Sequence, residues 1–218
     1  VITLNLKTLA PFDLSRGAHF MHTLAPYQLT GYSTLELGFA GPIENSTIKG
    51  VARAEQGTVW RIPLRNTTFN FTIKDDTFAF NVPRTYFADG SAAIQGRTDI
   101  LKNTGVVTFS GEKMELAQLL PDVSANGSIA LTLTANGALD RMPLQATVFG
   151  DQAIVQGQHF AGGTMRAELV PNRFVIKEAV VTMNELSNTF SGIIDTNENF
   201  SIQFPEQAMV VHSVENWD

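Results

Sequence analysis

Phe69-Asn70-Phe71-Thr72-Ile73-Lys74-Asp75-Asp76-Thr77-Phe78-Ala79-Phe80-Asn81-Val82 decides how this chain folds. Large apolar side chains alternate with polar or small ones on either side of a short polar link. Successive side chains on a strand point to opposite faces, so each run has one apolar and one polar face. Two such runs around Asp75-Asp76 make a β-hairpin. Working outward, Thr34-Leu35-Glu36-Leu37-Gly38-Phe39 and Ser128-Ile129-Ala130-Leu131-Thr132-Leu133-Thr134 repeat the pattern. Phe174-Val175-Ile176, Ile193-Ile194 and Ser201-Ile202-Gln203-Phe204 read as further strands.

Turn chemistry punctuates these runs every 8–12 residues or so, which suits a meander of hairpins and leaves no room for βαβ crossovers. The turn candidates are Gly41-Pro42, Asp75-Asp76, Asp89-Gly90, Asn103-Thr104-Gly105, Asn126-Gly127, Asn136-Gly137, Pro171-Asn172 and Asn197-Glu198-Asn199. Two segments read as helical. Glu112–Leu120 consists almost wholly of good helix formers and stops at Pro121, and Ser15–Leu24 before Pro26 is a weaker counterpart. A shift of 96 positions places Gly31 on Gly127, Leu35 on Leu131, Leu37 on Leu133, Gly41 on Gly137, Phe78 on Phe174 and Phe80 on Ile176. The order of helix, Pro, Gly, strand, Gly and hairpins recurs with that shift, which predicts a structural repeat. Residues 1–24 are then the end of a preceding repeat with a short helix. Residues 25–120 form a first β repeat ending in a helix, and 121–218 form a second.

Composition removes several kinds of function. The net charge of −6 offers neither nucleic acid nor an anionic membrane surface an electrostatic partner. Charged residues make up 17%, below the roughly 25% usual in soluble domains, and hydrophobic residues make up 44%. The absence of cysteine excludes disulfides, thiolate chemistry and cysteine-based zinc sites. No apolar run is long enough to cross a bilayer as a helix. The chain opens directly in strand-like sequence, Val1-Ile2-Thr3-Leu4-Asn5-Leu6, which reads as an interior piece of a longer protein.

Nothing in the sequence assembles a catalytic constellation, a cofactor site or a metal site. His19 and His22 are spaced for one helix face but lack a third ligand nearby, so a solvated face is the better reading. Neither a Gly-x-Ser-x-Gly elbow nor a phosphate loop is present. Phe160-Ala161-Gly162-Gly163 reads as a turn or bulge, and Asp75 and Asp76 as solvated turn carboxylates. Asp99 and Asp195 read as turn or strand-end caps, and His159 and His212 as isolated surface or packing residues.

The stretch Met114-Glu115-Leu116-Ala117-Gln118-Leu119-Leu120-Pro121-Asp122-Val123-Ser124-Ala125-Asn126-Gly127, its following strand and Asn136-Gly137-Ala138-Leu139 resemble the repeat joint of the TamB/AsmA-like bacterial envelope proteins. Leu24-Ala25-Pro26-Tyr27-Gln28-Leu29-Thr30-Gly31 is a looser copy. The resemblance implies an all-β, elongated antiparallel meander curved into an open, taco-like trough, with one or two short helices at the joints. It also implies a Gram-negative periplasmic location, in a parent chain anchored in the inner membrane. The implied work is non-enzymatic carriage of phospholipid between the inner and outer membranes. Its implied partners are phospholipid acyl chains, neighbouring repeats of the same chain and an outer-membrane barrel protein.

On that reading one apolar face lines the trough. Its residues are Leu35, Leu37, Phe39, Phe69, Phe71, Ile73, Phe78, Phe80, Ile129, Leu131, Leu133, Phe174, Ile176, Ile202 and Phe204. From periodicity alone the same residues suit the closed core of a β-sandwich equally well. A second functional reading is a protein-interaction module that assists outer-membrane protein assembly by adding a client strand to a sheet edge. A carbohydrate-active sandwich is a third reading, with no residue evidence in its favour.

Overall fold

A computed structural model describes residues 2–15, 30–42, 46–59, 62–170, 173–195 and 200–204. The expected helix over Ser15–Leu24 falls almost wholly outside them. So do His19, His22, His212 and the turns at Pro171-Asn172 and Asn197–Asn199, and the Asp195 side chain is not described.

The chain forms a 14-stranded antiparallel sheet. Its first strands are β1 (Ile2–Lys7), β2 (Phe12–Asp13), β3 (Thr30–Gly41), β4 (Thr47–Val59), β5 (Ile62–Lys74), β6 (Thr77–Phe87) and β7 (Gly90–Asp99). Then follow β8 (Thr104–Glu115), the single helical turn α1 (Leu116–Leu119), β9 (Ala125–Ala138), β10 (Met142–Val155), β11 (Gln158–Val170), β12 (Arg173–Met183), β13 (Leu186–Asp195) and β14 (Phe200–Gln203). From β3 onward each strand pairs with the next in sequence; β1 and the short β2 both pair with β3. Among the described residues β1 and β14 do not meet, so the sheet is an open meander curved into a trough. At about 4.8 Å per strand it is roughly 58 Å across.

Two-residue turns with both residues at positive φ, the type I′ geometry, join several hairpins because their twist matches that of the strands. They are Asp75-Asp76, Ala88-Asp89, Gln156-Gly157 and Asn184-Glu185. Ala88-Asp89 sits one residue before the expected Asp89-Gly90, where Gly90 instead opens β7. The last two were not anticipated, since Gln156 and Glu185 are not turn-favouring residues. Asn126-Gly127 and Asn136-Gly137, expected as turns, lie instead inside β9. Gly127 has φ 81°, and a β-carbon on it would stand 2.2 Å from the Gln152 carbonyl oxygen. The glycine there admits close approach by a bulge in β10 rather than a chain reversal. Gly31 does the same in β3, with φ 104° and a would-be β-carbon 2.4 Å from the Gln56 carbonyl oxygen.

Gly31 and Gly127 are 96 positions apart, and strand limits recur with that displacement. β5 (Ile62–Lys74) maps onto β11 (Gln158–Val170), β6 (Thr77–Phe87) onto β12 (Arg173–Met183), and β7 (Gly90–Asp99) onto β13 (Leu186–Asp195). Positive φ recurs likewise, at Ala88 and Asn184 and at Asp89 and Glu185.

The helix at the joint is shorter than the composition of Glu112–Leu120 suggests. β8 continues through Glu115, pairing Met114 with Ile129 and Glu115 with Ser128, and only Leu116–Leu119 is helical. Lys113, at φ 51°, makes a bulge that turns Met114 into the interior, where it is 0% exposed. Burying Met114 and completing the ladder outweigh helix propensities of only a few tenths of a kcal/mol per residue.

That bulge belongs to a rank. Besides breaks in mid-strand at Arg166/Ala167 and Ile176/Ala179, pairing breaks between Gly31 and Ser33, Val82 and Thr85, Gly111 and Met114, Asp151 and Ile154, and Phe160 and Gly162. The ladder places these last five breaks at one end of the strands. Bulges bend a strand and increase its twist, so this end curls. The main buried cluster sits there: Ala88, Met114, Leu116, Ile129 and Ala153, with Ile62, Phe109 and Phe160 packed around it.

Candidate hydrophobic trough

Directly opposed residues of an antiparallel pair share a face, so the ladder itself assigns each side chain to one side of the sheet. Leu35, Leu37 and Phe39 oppose Ala52, Gly50 and Ile48, which in turn oppose Phe69, Phe71 and Ile73. Phe71 and Ile73 oppose Phe80 and Phe78. On the far side, Ile129, Leu131 and Leu133 oppose Met114, Gly111 and Phe109, and the face continues through Ala146 and Met165. Phe174 and Ile176 oppose Leu169 and Ala167, and Ile202 opposes Gly192. Phe204 lies 6.2 Å from Phe190, between ring centroids, on that same side. Every side chain named from sequence as lining the apolar face therefore stands on one face of the sheet, the inner face.

Several inner-face residues were missed by the sequence reading. Ile94, Val107, Phe109, Leu144, Val148 and Met165 supply the face in β7, β8, β10 and β11. Their strands interleave large residues with Gly and Ala, which dilutes the contrast on which period two depends. The signal was present in Val107-Thr108-Phe109 and Leu144-Gln145-Ala146-Thr147-Val148.

From the Ser33 row to the end of the strands opposite α1, no charged side chain of the strands stands on the inner face. The hydroxyls found there are internally satisfied. Thr67 Oγ1 and Thr85 Oγ1 are 2.6 Å apart, Thr85 donates to the Arg65 carbonyl at 3.2 Å, and Ser33 donates to the Thr34 carbonyl at 3.2 Å. No buried side-chain polar atom among the described residues lacks a partner.

The inner face is not covered by a second layer. In a closed sandwich the central Phe and Leu side chains would be almost fully buried. Here Leu35, Leu37, Phe69, Phe71, Phe78, Phe80, Leu131 and Leu133 are only half-buried, by their own neighbours, and Phe204 at the sheet edge is 64% exposed. A second buried cluster, Ala135, Met142, Leu144 and Ala167, lies within the face itself, where large residues lean over small ones.

The outer face carries the charge. Glu36 bridges Lys7 at 2.8 Å and Arg53 at 3.2 Å across three strands, and Glu168 meets Arg141 at 3.1 Å and Lys177 at 3.3 Å. Arg166 pairs with Glu178, and Asp99 with Lys102. The Lys7 ammonium, with a smaller contribution from Arg53, holds the Glu36 carboxyl below its ordinary value. Hydrogen bonds from the Lys102 side chain and backbone N–H do the same for Asp99, which caps the turn after β7. Desolvation pushes Glu168 up, but hydrogen bonds from Arg141 and Lys177 outweigh it and leave its carboxyl lowered.

A carboxyl depressed by folding contributes stability that is present above its unfolded pKa and lost as pH falls through the folded one. Thermal stability is therefore expected to fall only as pH drops through and below the ordinary carboxylate range, about 4. Melting curves from pH 7 to pH 3 check this, and Glu168→Gln should flatten the acid limb. An unchanged melting temperature at pH 3 would contradict it.

Among the described residues no group of three or more His, Asp or Glu side chains is arranged to hold a metal. The Gly162 region is a bulge in β11, and Asp75 and Asp76 are exposed turn residues. No protein-family model matches the chain, and neither does any curated protein or solved structure.

Proposed function

We propose that this chain is a section of a TamB/AsmA-like envelope protein whose inner face holds phospholipid acyl chains on their way across the bacterial periplasm. The observation that carries the proposal is one uncharged, half-covered apolar face running from β3 to β14, with the strand charges kept on the opposite face. An acyl chain on that face gains about 0.8 kcal/mol per buried methylene, so ten methylenes give roughly 8 kcal/mol before ordering costs. Headgroups stay in water at the lip. Movement along such a face needs continuity and no catalytic group.

The helix α1 favours hydrocarbon over a second protein layer. Leu116 is buried and Leu119 packs against inner-face residues, so α1 stands on that face at its bulged end. A packed sheet would lie about 10 Å above the first, and a helix is about 10 Å thick. A flat partner therefore meets α1, whereas flexible chains fit around it. Native mass spectrometry of the protein purified from bacterial envelopes is expected to find bound phospholipid. Protein that carries none, and takes up none from phospholipid vesicles, would sink the proposal.

The unpaired outer edge of β1, among the described residues, supports a second reading in which a client strand adds to the sheet. Crosslinks from β1 to outer-membrane barrel proteins that survive loss of lipid binding would favour it.

A further inference from the structure

One row of directly opposed residues crosses four strands of the first repeat: Gly50, Phe71, Phe80 and Gly96. A β-carbon placed on Gly50 would stand 2.1 Å from the Phe71 ring, and one on Gly96 would stand 2.4 Å from the Phe80 ring. Each ring therefore lies down over the glycine of its flanking strand, Phe71 towards β4 and Phe80 towards β7. Phe80 stacks with Phe69 at 5.7 Å and Phe71 meets Phe78 at 6.0 Å, so these ring contacts run diagonally. The result is a low aromatic floor in place of two upright rings.

Displaced by 96 positions, the four residues of this row become Ala146, Ala167, Ile176 and Gly192. The ladder of the second repeat, however, is two residues out of step at β10: Leu144, Ala167, Ile176 and Gly192 share a row, and Ala146 opposes Met165.

We infer that Gly50 and Gly96 determine the size specificity of the trough, by holding Phe71 and Phe80 down so that an acyl chain passes over them. The inference rests on the lipid-trough reading and adds to it the residues that set which hydrocarbon is admitted. Any side chain at Gly96 lifts the Phe80 ring into the path, and a side chain at Gly50 lifts Phe71. A branched chain, which needs more height than a linear one, is then excluded first.

The test uses the whole chain and two vesicle lipids, dioleoyl-phosphatidylcholine with linear chains and diphytanoyl-phosphatidylcholine with branched ones. Uptake is read by native mass spectrometry and folding by circular dichroism. Gly96→Val is expected to lower the ratio of branched to linear lipid by roughly tenfold, the scale of an overpacking penalty. Adding Phe80→Ala to it should restore the ratio. Phe80→Ala alone introduces no clash, and it should raise the ratio above wild type. Folded variants with the wild-type ratio, or a single Phe80→Ala variant that leaves the ratio unmoved, would overturn the inference while leaving the trough intact. Wild-type protein that takes up neither lipid overturns the trough reading itself.

Discussion

Phe80→Asp is expected to abolish lipid uptake while leaving the sheet folded. Phe80 is half-buried on the inner face, one side packed on Phe69 and Phe78 and over Gly96, the other open. An aspartate there keeps part of its hydration in the empty protein, so the folded state tolerates it. The lost ring contacts cost about 0.5–1.5 kcal/mol each, which lowers the melting temperature without unfolding the chain. With hydrocarbon bound, the carboxylate faces methylenes and loses its water. An unpaired charge desolvated in this way costs several kcal/mol, and 3 kcal/mol already reduces affinity by about 150-fold. Native mass spectrometry and a circular dichroism melt on the same sample check both halves. A variant that fails to fold would mean Phe80 belongs to a sealed core, and one that binds lipid like wild type would mean the path avoids it.

Met114→Ala is expected to produce the largest loss of stability of any single truncation in the described residues, about 2–5 kcal/mol. Met114 is the largest fully buried side chain, and its sulfur would lie 2.4 Å from a β-carbon on Gly111. It joins Ala88, Leu116, Ile129 and Ala153, so truncating it leaves a cavity where α1 is held against the sheet. Leu131→Ala, on the half-buried face nearby, should cost clearly less, because water and neighbours already occupy part of its surroundings. Urea denaturation of the two variants measures the difference. Equal losses would show that the trough and the bulged end are one continuous core.

These two outcomes differ because the inner face has two regimes, and only one of them was visible before folding. Alternation around Asp75-Asp76 placed Phe69, Phe71, Phe78 and Phe80 on one face, and the recurrence 96 positions on anticipated where Phe174 and Ile176 would stand. Both are local facts. A strand turns over every second residue, and opposed partners share a face whatever the rest of the chain does. Faint alternation, as in β7, β10 and β11, hid a good part of the same face. Met114 was unreadable for a different reason. Good helix formers surround it, and only the ladder to Ile129 and the bulge at Lys113 reveal it as a core residue.

The sequence by itself determined that this protein is a meander of amphipathic strands in a repeated order, each with one apolar and one polar face. Tertiary structure alone decided that the apolar side stays open, that bulges curl one end, and that α1 shrinks to a single turn over a small core. The physical reason is range. Side-chain alternation acts within a strand, whereas sealing or exposing a face depends on whether distant segments gain more by covering it than by continuing the ladder. In this chain each new strand adds to the edge of the sheet, and the apolar face grows with it instead of being closed.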